Sequence, residues 1–180
     1  MGNYDFDSAV IGGGSAGYAT ARTTAAAGKR TVIIEAGGEL GGLCILRGCM
    51  PTKALLHAAD VRHQARRSSI WGLKPDEVSF DFAAVMRRKA AMVEEFASYR
   101  RGQLQDGRFE LIRALARFRD PHTLELDNGK AVTAEHIMIC TGSRVAELPL
   151  PGLTKLGCIT SDDALRLESL PQSIIVLGGG

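Results

Sequence analysis

Cysteine is scarce in this chain and so are aromatic residues, with four cysteines, one tryptophan, three tyrosines and six phenylalanines among 180 residues. Four thiols in a chain this long do not make a disulfide framework of the secreted kind. The Cys-x-x-Cys pairing of a structural zinc site is missing as well, with no further ligands at sensible spacing. Positive and negative side chains nearly cancel, at a net charge of +2, so there is no basic field for a nucleic acid. No apolar run approaches the ~20 residues of a membrane span. The opening Met1-Gly2-Asn3-Tyr4-Asp5-Phe6 has neither the basic start nor the apolar stretch of a signal peptide. Met1-Gly2 begins like an acylation signal, but Phe6 stands where Ser or Thr is needed. The expectation is a soluble protein of a reducing, cytoplasmic compartment, with neither nucleic acid nor membrane as partner. Its length allows one domain with a proper core and a piece of another.

Glycine is plentiful, and the first cluster has a pattern. Phe6 to Ile11 is apolar and runs into Gly12-Gly13-Gly14-Ser15-Ala16-Gly17, after which Tyr18 to Ala27 is alanine-rich and suited to a helix. Gly28 closes that helix. Arg30 to Glu35 then reads as a buried parallel strand ending in an acid. Gly12, Gly14 and Gly17 fit Gly-x-Gly-x-x-Gly: a tight turn, a close approach of backbone to a pyrophosphate, and close packing of helix on strand. Glu35, eighteen residues past Gly17, is placed to accept hydrogen bonds from a ribose. A purely structural glycine loop is the bland alternative, and the order strand, loop, helix, strand, acid weighs against it.

The second cluster is Gly41-Gly42-Leu43-Cys44-Ile45-Leu46-Arg47-Gly48-Cys49-Met50-Pro51-Thr52-Lys53. In one continuous helix the two cysteine Cα atoms would lie about 8 to 9 Å apart, beyond the ~7 Å a disulfide tolerates. The helix must therefore be distorted or not yet begun, with Gly48 supplying the freedom. Pro51 suits a first helical position and pushes Met50 out of the α region, which predicts a helix starting at Pro51. Cys49 would then sit just outside a helix N-terminus, where the free N–H groups and Lys53 favour a thiolate. A close pair with one stabilised thiolate is what thiol–disulfide exchange requires. Two unrelated buried thiols are the alternative.

Farther on, Lys53, His57 and Asp60 fall along one side of the cysteine helix and Ala54, Leu55, Ala58 and Val61 along a more apolar one. His57 has no carboxylate partner identifiable by spacing, and His63, His122 and His136 have less to recommend them. A loop over 71–79 precedes a helix from Asp81 to about Gln105, with a packing stripe of Phe82, Val85, Met86, Met92, Val93, Phe96 and Tyr99. Strands are expected over Phe109–Phe118, Thr123–Leu126, Ala131–Thr133 and Ile137–Thr141, with Asn128-Gly129 as a hairpin turn. Leu148 to Gly152 reads as a stiff connector. Ser161-Asp162-Asp163 caps a short helix to Leu170, which Pro171 ends. Ser173 to Gly180 reads as a strand entering a second glycine loop. A strand of that kind with nothing to pack on it predicts that the 180 residues are the N-terminal part of a longer polypeptide.

The run Gly-Gly-x-Cys-x-x-x-x-Gly-Cys-x-Pro-Thr-Lys resembles the active-site signature of the flavin-dependent pyridine nucleotide-disulfide oxidoreductases, and Ile137 to Ser143 resembles their second flavin-binding signature. With the two glycine loops the resemblance covers nearly the whole chain. It implies an α/β fold: residues 1–150 a Rossmann-like FAD-binding domain with a parallel sheet and a small antiparallel β insertion, and 151–180 a connector and the first strand of a truncated NAD(P)-binding domain. Carried over by position, Gly12, Gly14, Ser15 and Gly17 would hold the FAD pyrophosphate and Glu35 the adenosine ribose. Gly41, Gly42 and Leu43 would line the phosphate and ribitol region, Lys53 would sit beside the isoalloxazine, and Thr141 and Gly142 would close over the cofactor. Leu115 and Ala116 align with the adenine-contacting backbone. Cys49 would be the thiol next to the flavin and Cys44 the outer thiol that exchanges with substrate.

The implied activity passes electrons between NAD(P)H and a small disulfide or related substrate through FAD and a Cys44/Cys49 disulfide. It is most like that of dihydrolipoamide dehydrogenase, with a mercuric reductase-like enzyme as an alternative. The full-length enzyme would be a homodimer whose partner subunit supplies a histidine, so the 180-residue chain alone is expected to be inactive. A non-catalytic nucleotide-binding module and an NAD-binding dehydrogenase domain are the rival readings. Leu43, Leu46, Arg47, Cys140, Val145 and Ala146 depart from the usual motif residues, which bears on the substrate more than on the flavin. Arg47 could favour a thiolate or an anionic substrate, or be a solvated surface arginine. A small buried thiol is the expected role of Cys140.

Overall fold

The computed structural model describes residues 4–74, 78–146 and 149–178. The order is β1 (Phe6–Ile11), α1 (Ser15–Ala26), β2 (Thr31–Ile34), α2 (Gly42–Leu46), α3 (Cys49–Arg66), α4 (Phe82–Leu104), β3 (Glu110–Ile112), β4 (Ala116–Asp120), β5 (Thr123–Leu126), β6 (Ala131–Ile139) and α5 (Ser161–Ala164), with short 3-10 turns at Ser68–Trp71 and Leu153–Leu156. The expected α/β architecture is what forms. The strands run β3-β2-β1-β6-β5-β4, parallel from β3 to β6 and antiparallel from β6 to β4.

Alternation decides what each strand buries. Ala9, Val32 and Ile34 face one core, shared with Ala114, Leu124, Leu126, Val132 and Ala134. Val10 and Ile33, one residue out of phase, face a second core with Tyr18, Ala21, Leu40, Leu104 and Phe109. Burial on both faces is why β2 reads as an unbroken apolar run. The second core lies under α1 and α4; the first is roofed by the antiparallel strands. Ile112 and Ala116 belong to strands at opposite ends of the order. Four Cα steps reach at most about 14 Å, whereas six flat strands would separate the edges by about 24 Å. The sheet must therefore fold back at β6, laying β4 and β5 over the parallel strands.

Several expected boundaries move. The run Phe109–Phe118 is two strands, interrupted where Arg113 turns to donate to the carbonyls of Gly37 and Gly38. The runs Ala131–Thr133 and Ile137–Thr141 are one strand, β6, because its first half pairs with β5 and its second with β1. Along α4 the fully buried positions are Ala97 and Leu104, while Phe96 and Tyr99 of the expected stripe are exposed. α4 packs on α3 and α2, and a small residue lets helices approach closely where a large one would hold them apart. The last short helix is capped by Thr160 rather than Ser161 and stops at Ala164. Residues 173–178 form no strand among the described residues, and Ile174 to Leu177 are exposed. The 71–79 loop, the 148–152 connector and the second glycine loop each fall partly outside the described residues.

Candidate dithiol and nucleotide site

Three glycines make the site possible by letting backbones touch. A Cβ on Gly17 would lie 1.8 Å from the Gly12 carbonyl oxygen, so α1 rests directly on the loop that leaves β1. Gly12, at φ +103°, abuts the end of β6: its Cβ would fall 2.3 Å from the Cys140 oxygen and 3.3 Å from the Thr141 Cα. Gly42, at φ +75°, meets Gly14, where a Cβ would be 2.4 Å from the Gly14 Cα. The loop thus meets Thr141 through Gly12 on one side and Gly42 through Gly14 on the other, while Gly17 seats α1 on Gly12. Gly14 caps α1 with no side-chain hydrogen bond, and the exposed Ser15 and Ala16 begin that helix. Their N–H groups precede the first intrahelical bond, which makes this end a seat for an anionic group.

Glu35 closes the loop from the β2 side. Its carboxylate accepts from the Gly13 N–H at 2.6 Å and from the Gly37 N–H at 2.7 Å. The expected acid is present at the loop, and an ionised carboxylate retains lone pairs for further donors. Gly13, which the fingerprint leaves as an unspecified position, was not singled out by sequence, since its contribution is a backbone donor.

The dithiol is assembled by Gly48. A Cβ there would be 3.0 Å from the Leu43 oxygen and 3.3 Å from the Cys44 Cα, so the chain folds back on itself between the cysteines. α2 ends at Leu46 and α3 opens at Cys49, with Gly48 as its N-cap. The helix therefore starts two residues before the expected Pro51, which is buried in its first turn, where its missing N–H costs nothing. Cys49 is the first helical residue rather than lying outside the helix. All four cysteines are free, Cys44 partly buried and Cys49 exposed. The Cys49 thiol is pushed up from its ordinary value, first by hydrogen bonding with the Cys44 side chain, then by desolvation and by the charge of Cys44. The Cys49 backbone N–H and Lys53 pull the other way without prevailing. The expected thiolate preference at Cys49 is thus corrected: the helix terminus and Lys53 act as anticipated, but the second sulfur outweighs them.

Other expected residues are placed less centrally. Lys53 is exposed on α3 one turn after Cys49. Thr141 and Gly142 follow β6 as exposed residues, and Leu43 lies in α2 before Cys44. The Leu115 N–H donates to the Asp127 side chain at 3.1 Å and its carbonyl accepts from the Asp127 N–H at 3.0 Å. Ala116 pairs with Leu126. The backbone of these two residues is thus engaged with the hairpin. Arg47, one candidate for a solvated surface arginine, donates to Asp162 at 3.1 Å. Among the described residues no group of three metal-ligating side chains converges, and no helix is long and apolar enough to cross a membrane.

Comparison with known proteins agrees with this geometry. The family model for pyridine nucleotide-disulphide oxidoreductases matches residues 6–180. Dihydrolipoyl dehydrogenase of Bacillus subtilis is 34% identical across 98% of the chain, which spans 40% of that enzyme. Mercuric reductase of Bacillus cereus is 33% identical across 99% of the chain, which spans 28% of it. Among solved structures, the HOCl-induced flavoprotein disulfide reductase RclA from Escherichia coli superposes with a TM-score of 0.72 at 31% identity, over 92% of this chain and 35% of that one. The chain spans two fifths or less of these relatives. With its glycine loop, its paired cysteines and a family match over nearly its whole length, this chain belongs to the pyridine nucleotide-disulphide oxidoreductase family.

Proposed function

We propose that this chain is the flavin-binding part of an enzyme that passes electrons between NAD(P)H and a disulfide or related small substrate, using Cys44 and Cys49 as a redox-active pair. The observation that carries the proposal is one of contact. Gly48 folds Cys49 back onto Cys44, while Gly14 and Gly42 meet backbone to backbone, so the dithiol and the nucleotide-binding turn share one surface. The residues present fit an FAD there. Gly12, Gly14, Ser15 and Gly17 would take its pyrophosphate at the α1 terminus, Glu35 a ribose, Gly41, Gly42 and Leu43 the linking chain, and Thr141 and Gly142 the opposite side. FAD, when bound, supplies two-electron transfer.

The protein's own part is the dithiol. Reduction breaks one bond between the Cys44 and Cys49 sulfurs and takes up two electrons and two protons; oxidation returns them. Cys44, on a helix of only five residues, is the sulfur assigned to exchange with substrate. Cys49 is held by the longer α3, and Lys53 one turn on steadies negative charge at it. A full-length homodimer acting on a small disulfide is the proposed working form. The reducing cytoplasm is the proposed compartment, in keeping with a sequence whose four cysteines make no disulfide framework of the secreted kind.

Purified full-length protein tests this. The expected result is a yellow protein with flavin absorbance and a long-wavelength band on two-electron reduction that is absent in Cys49→Ser. A colourless protein whose two thiols always titrate free would instead identify a nucleotide-binding module without redox function.

A further inference from the structure

Between the two cysteines the chain makes one long-range polar contact. The Arg47 guanidinium donates from Nη1 to Oδ2 of Asp162 at 3.1 Å, across 115 positions of sequence. Arg47 is the C-cap of α2, with its N–H on the Leu43 carbonyl at 2.9 Å, and it directly precedes Gly48. Asp162 belongs to a short helix that is itself held from two sides. Asp163 accepts from the Thr160 N–H at 2.8 Å and from the Thr160 hydroxyl at 2.7 Å, and the Lys89 ammonium on α4 donates to the Leu165 carbonyl. Leu46, Arg47 and Pro51 form one wall of a cleft of about 210 Å³, and Asp162, Leu165 and Arg166 line it too. The pair therefore joins the turn between the sulfurs to a segment anchored on α4.

We propose that Arg47 is a positioning residue for the dithiol: its ion pair with Asp162 restrains the turn at Gly48 and so holds Cys44 within bonding reach of Cys49. The inference rests on the redox reading of the two cysteines. Its physical basis is the freedom of α2. A five-residue helix is too short to persist on its own. Two of its anchors are glycine contacts, Gly42 on Gly14 and Gly48 on Leu43. The buried side chain of Ile45 is another, and this ion pair adds a polar tie at the end of the helix nearest Gly48. Without it the sulfurs spend less time adjacent, the effective concentration of one thiol at the other falls, and the disulfide becomes easier to reduce. Forming that bond releases two electrons and two protons, which glutathione disulfide accepts as it becomes two glutathione thiols. Arg47 is 55% and Asp162 21% exposed, so the restraint is modest and screened by salt.

The experiment is a redox titration of the full-length protein in buffers of reduced and oxidised glutathione, the Cys44–Cys49 bridge being counted by alkylation and mass spectrometry. The variants are Arg47→Ala, Asp162→Asn and the exchanged pair Arg47→Asp with Asp162→Arg. Each single variant should lower the equilibrium constant for bridge formation about threefold to fivefold, equivalent to a potential about 15 to 20 mV less negative for a two-electron couple. The exchanged pair should restore most of it, and 1 M salt should bring wild type and single variants together. A wild-type bridge whose equilibrium is unchanged in both single variants would overturn the role of Arg47 and leave the redox reading standing. No bridge in wild type at any glutathione ratio would overturn both.

Discussion

Phe6–Gly14 and Ser173–Gly178 are written to the same plan, a short apolar run leading into glycine, yet they end up differently. The first is a central strand whose Ala9 and Val10 are fully buried; in the second, Ile175 is 88% exposed. Composition does not separate them, because Ile174-Ile175-Val176-Leu177 is at least as suited to a strand as Ser8-Ala9-Val10-Ile11. Neighbours do. β1 has β2 on one side and β6 on the other, with α1 over one face; the later run lies beside no strand among the described residues. β-propensity measures how well a side chain fits a pleated, covered surface, and without that surface it organises nothing.

The most damaging way to break this contrast is at the first glycine loop. Gly17→Ala puts a methyl group 1.8 Å from a backbone oxygen, which no rotamer change relieves. We expect a loss above about 3 kcal/mol, the upper range of overpacking, or no folded protein at all, measured by thermal melting. A fully cooperative melt within a few degrees of wild type would mean that α1 does not rest on Gly12.

A core truncation sharpens it. Ile34→Ala removes a buried side chain and should cost about 2 to 5 kcal/mol. Ile175→Ala in the same 180-residue chain should stay within about 0.5 kcal/mol. Hydrogen exchange gives the same contrast without mutation: amides of Val10 and Ile33 should exchange near the global limit, those of Ile175 to Leu177 almost freely. Slow exchange at Ile175 would mean that the run has found a neighbour.

Acid should act most gently. Hydrogen bonds from Thr133, side chain first and then backbone, hold the Asp5 carboxyl below its ordinary range, linking the approach to β1 with β6. Because the folded value is lowered, its contribution is complete above the unfolded value of about 3.9 and fades as pH falls through the folded one. Asp5→Asn should therefore lower stability slightly at neutral pH and flatten the loss below about pH 4. An unchanged acid limb would remove Asp5 from the account.

The features legible in sequence were those with a local cause. The first loop was readable because three glycines at fixed spacing answer three close approaches. The dithiol turn was readable because a straight helix cannot bring two cysteines five apart into contact, which singled out Gly48. Less legible was whatever depends on residues far apart. The pairing of Arg47 with Asp162, the split of Phe109–Phe118 and the joining of β6 all come from partners that no window of sequence contains. The start of α3 is ambiguous in sequence because Pro51 is equally at home two positions further into the first turn, where its missing N–H still costs nothing. The direction of the Cys49 shift is set by the second sulfur, whose approach depends on the fold-back at Gly48, and not by the helix terminus and the lysine that adjoin it in sequence.

The fold-back of the sheet at β6 also bears on how the chain is made. Asp5 and its partner Thr133 are separated by 128 positions, and the stretch between them must leave the ribosome before β1 can acquire its inner neighbour. At about 5 to 20 residues per second, the nascent β1 and β2 wait several seconds or more with one apolar edge bare. Interruptions to synthesis between the dithiol helices and the hairpin would thus release a chain able to aggregate, whereas one halted beyond Ile139 would already have closed its parallel sheet.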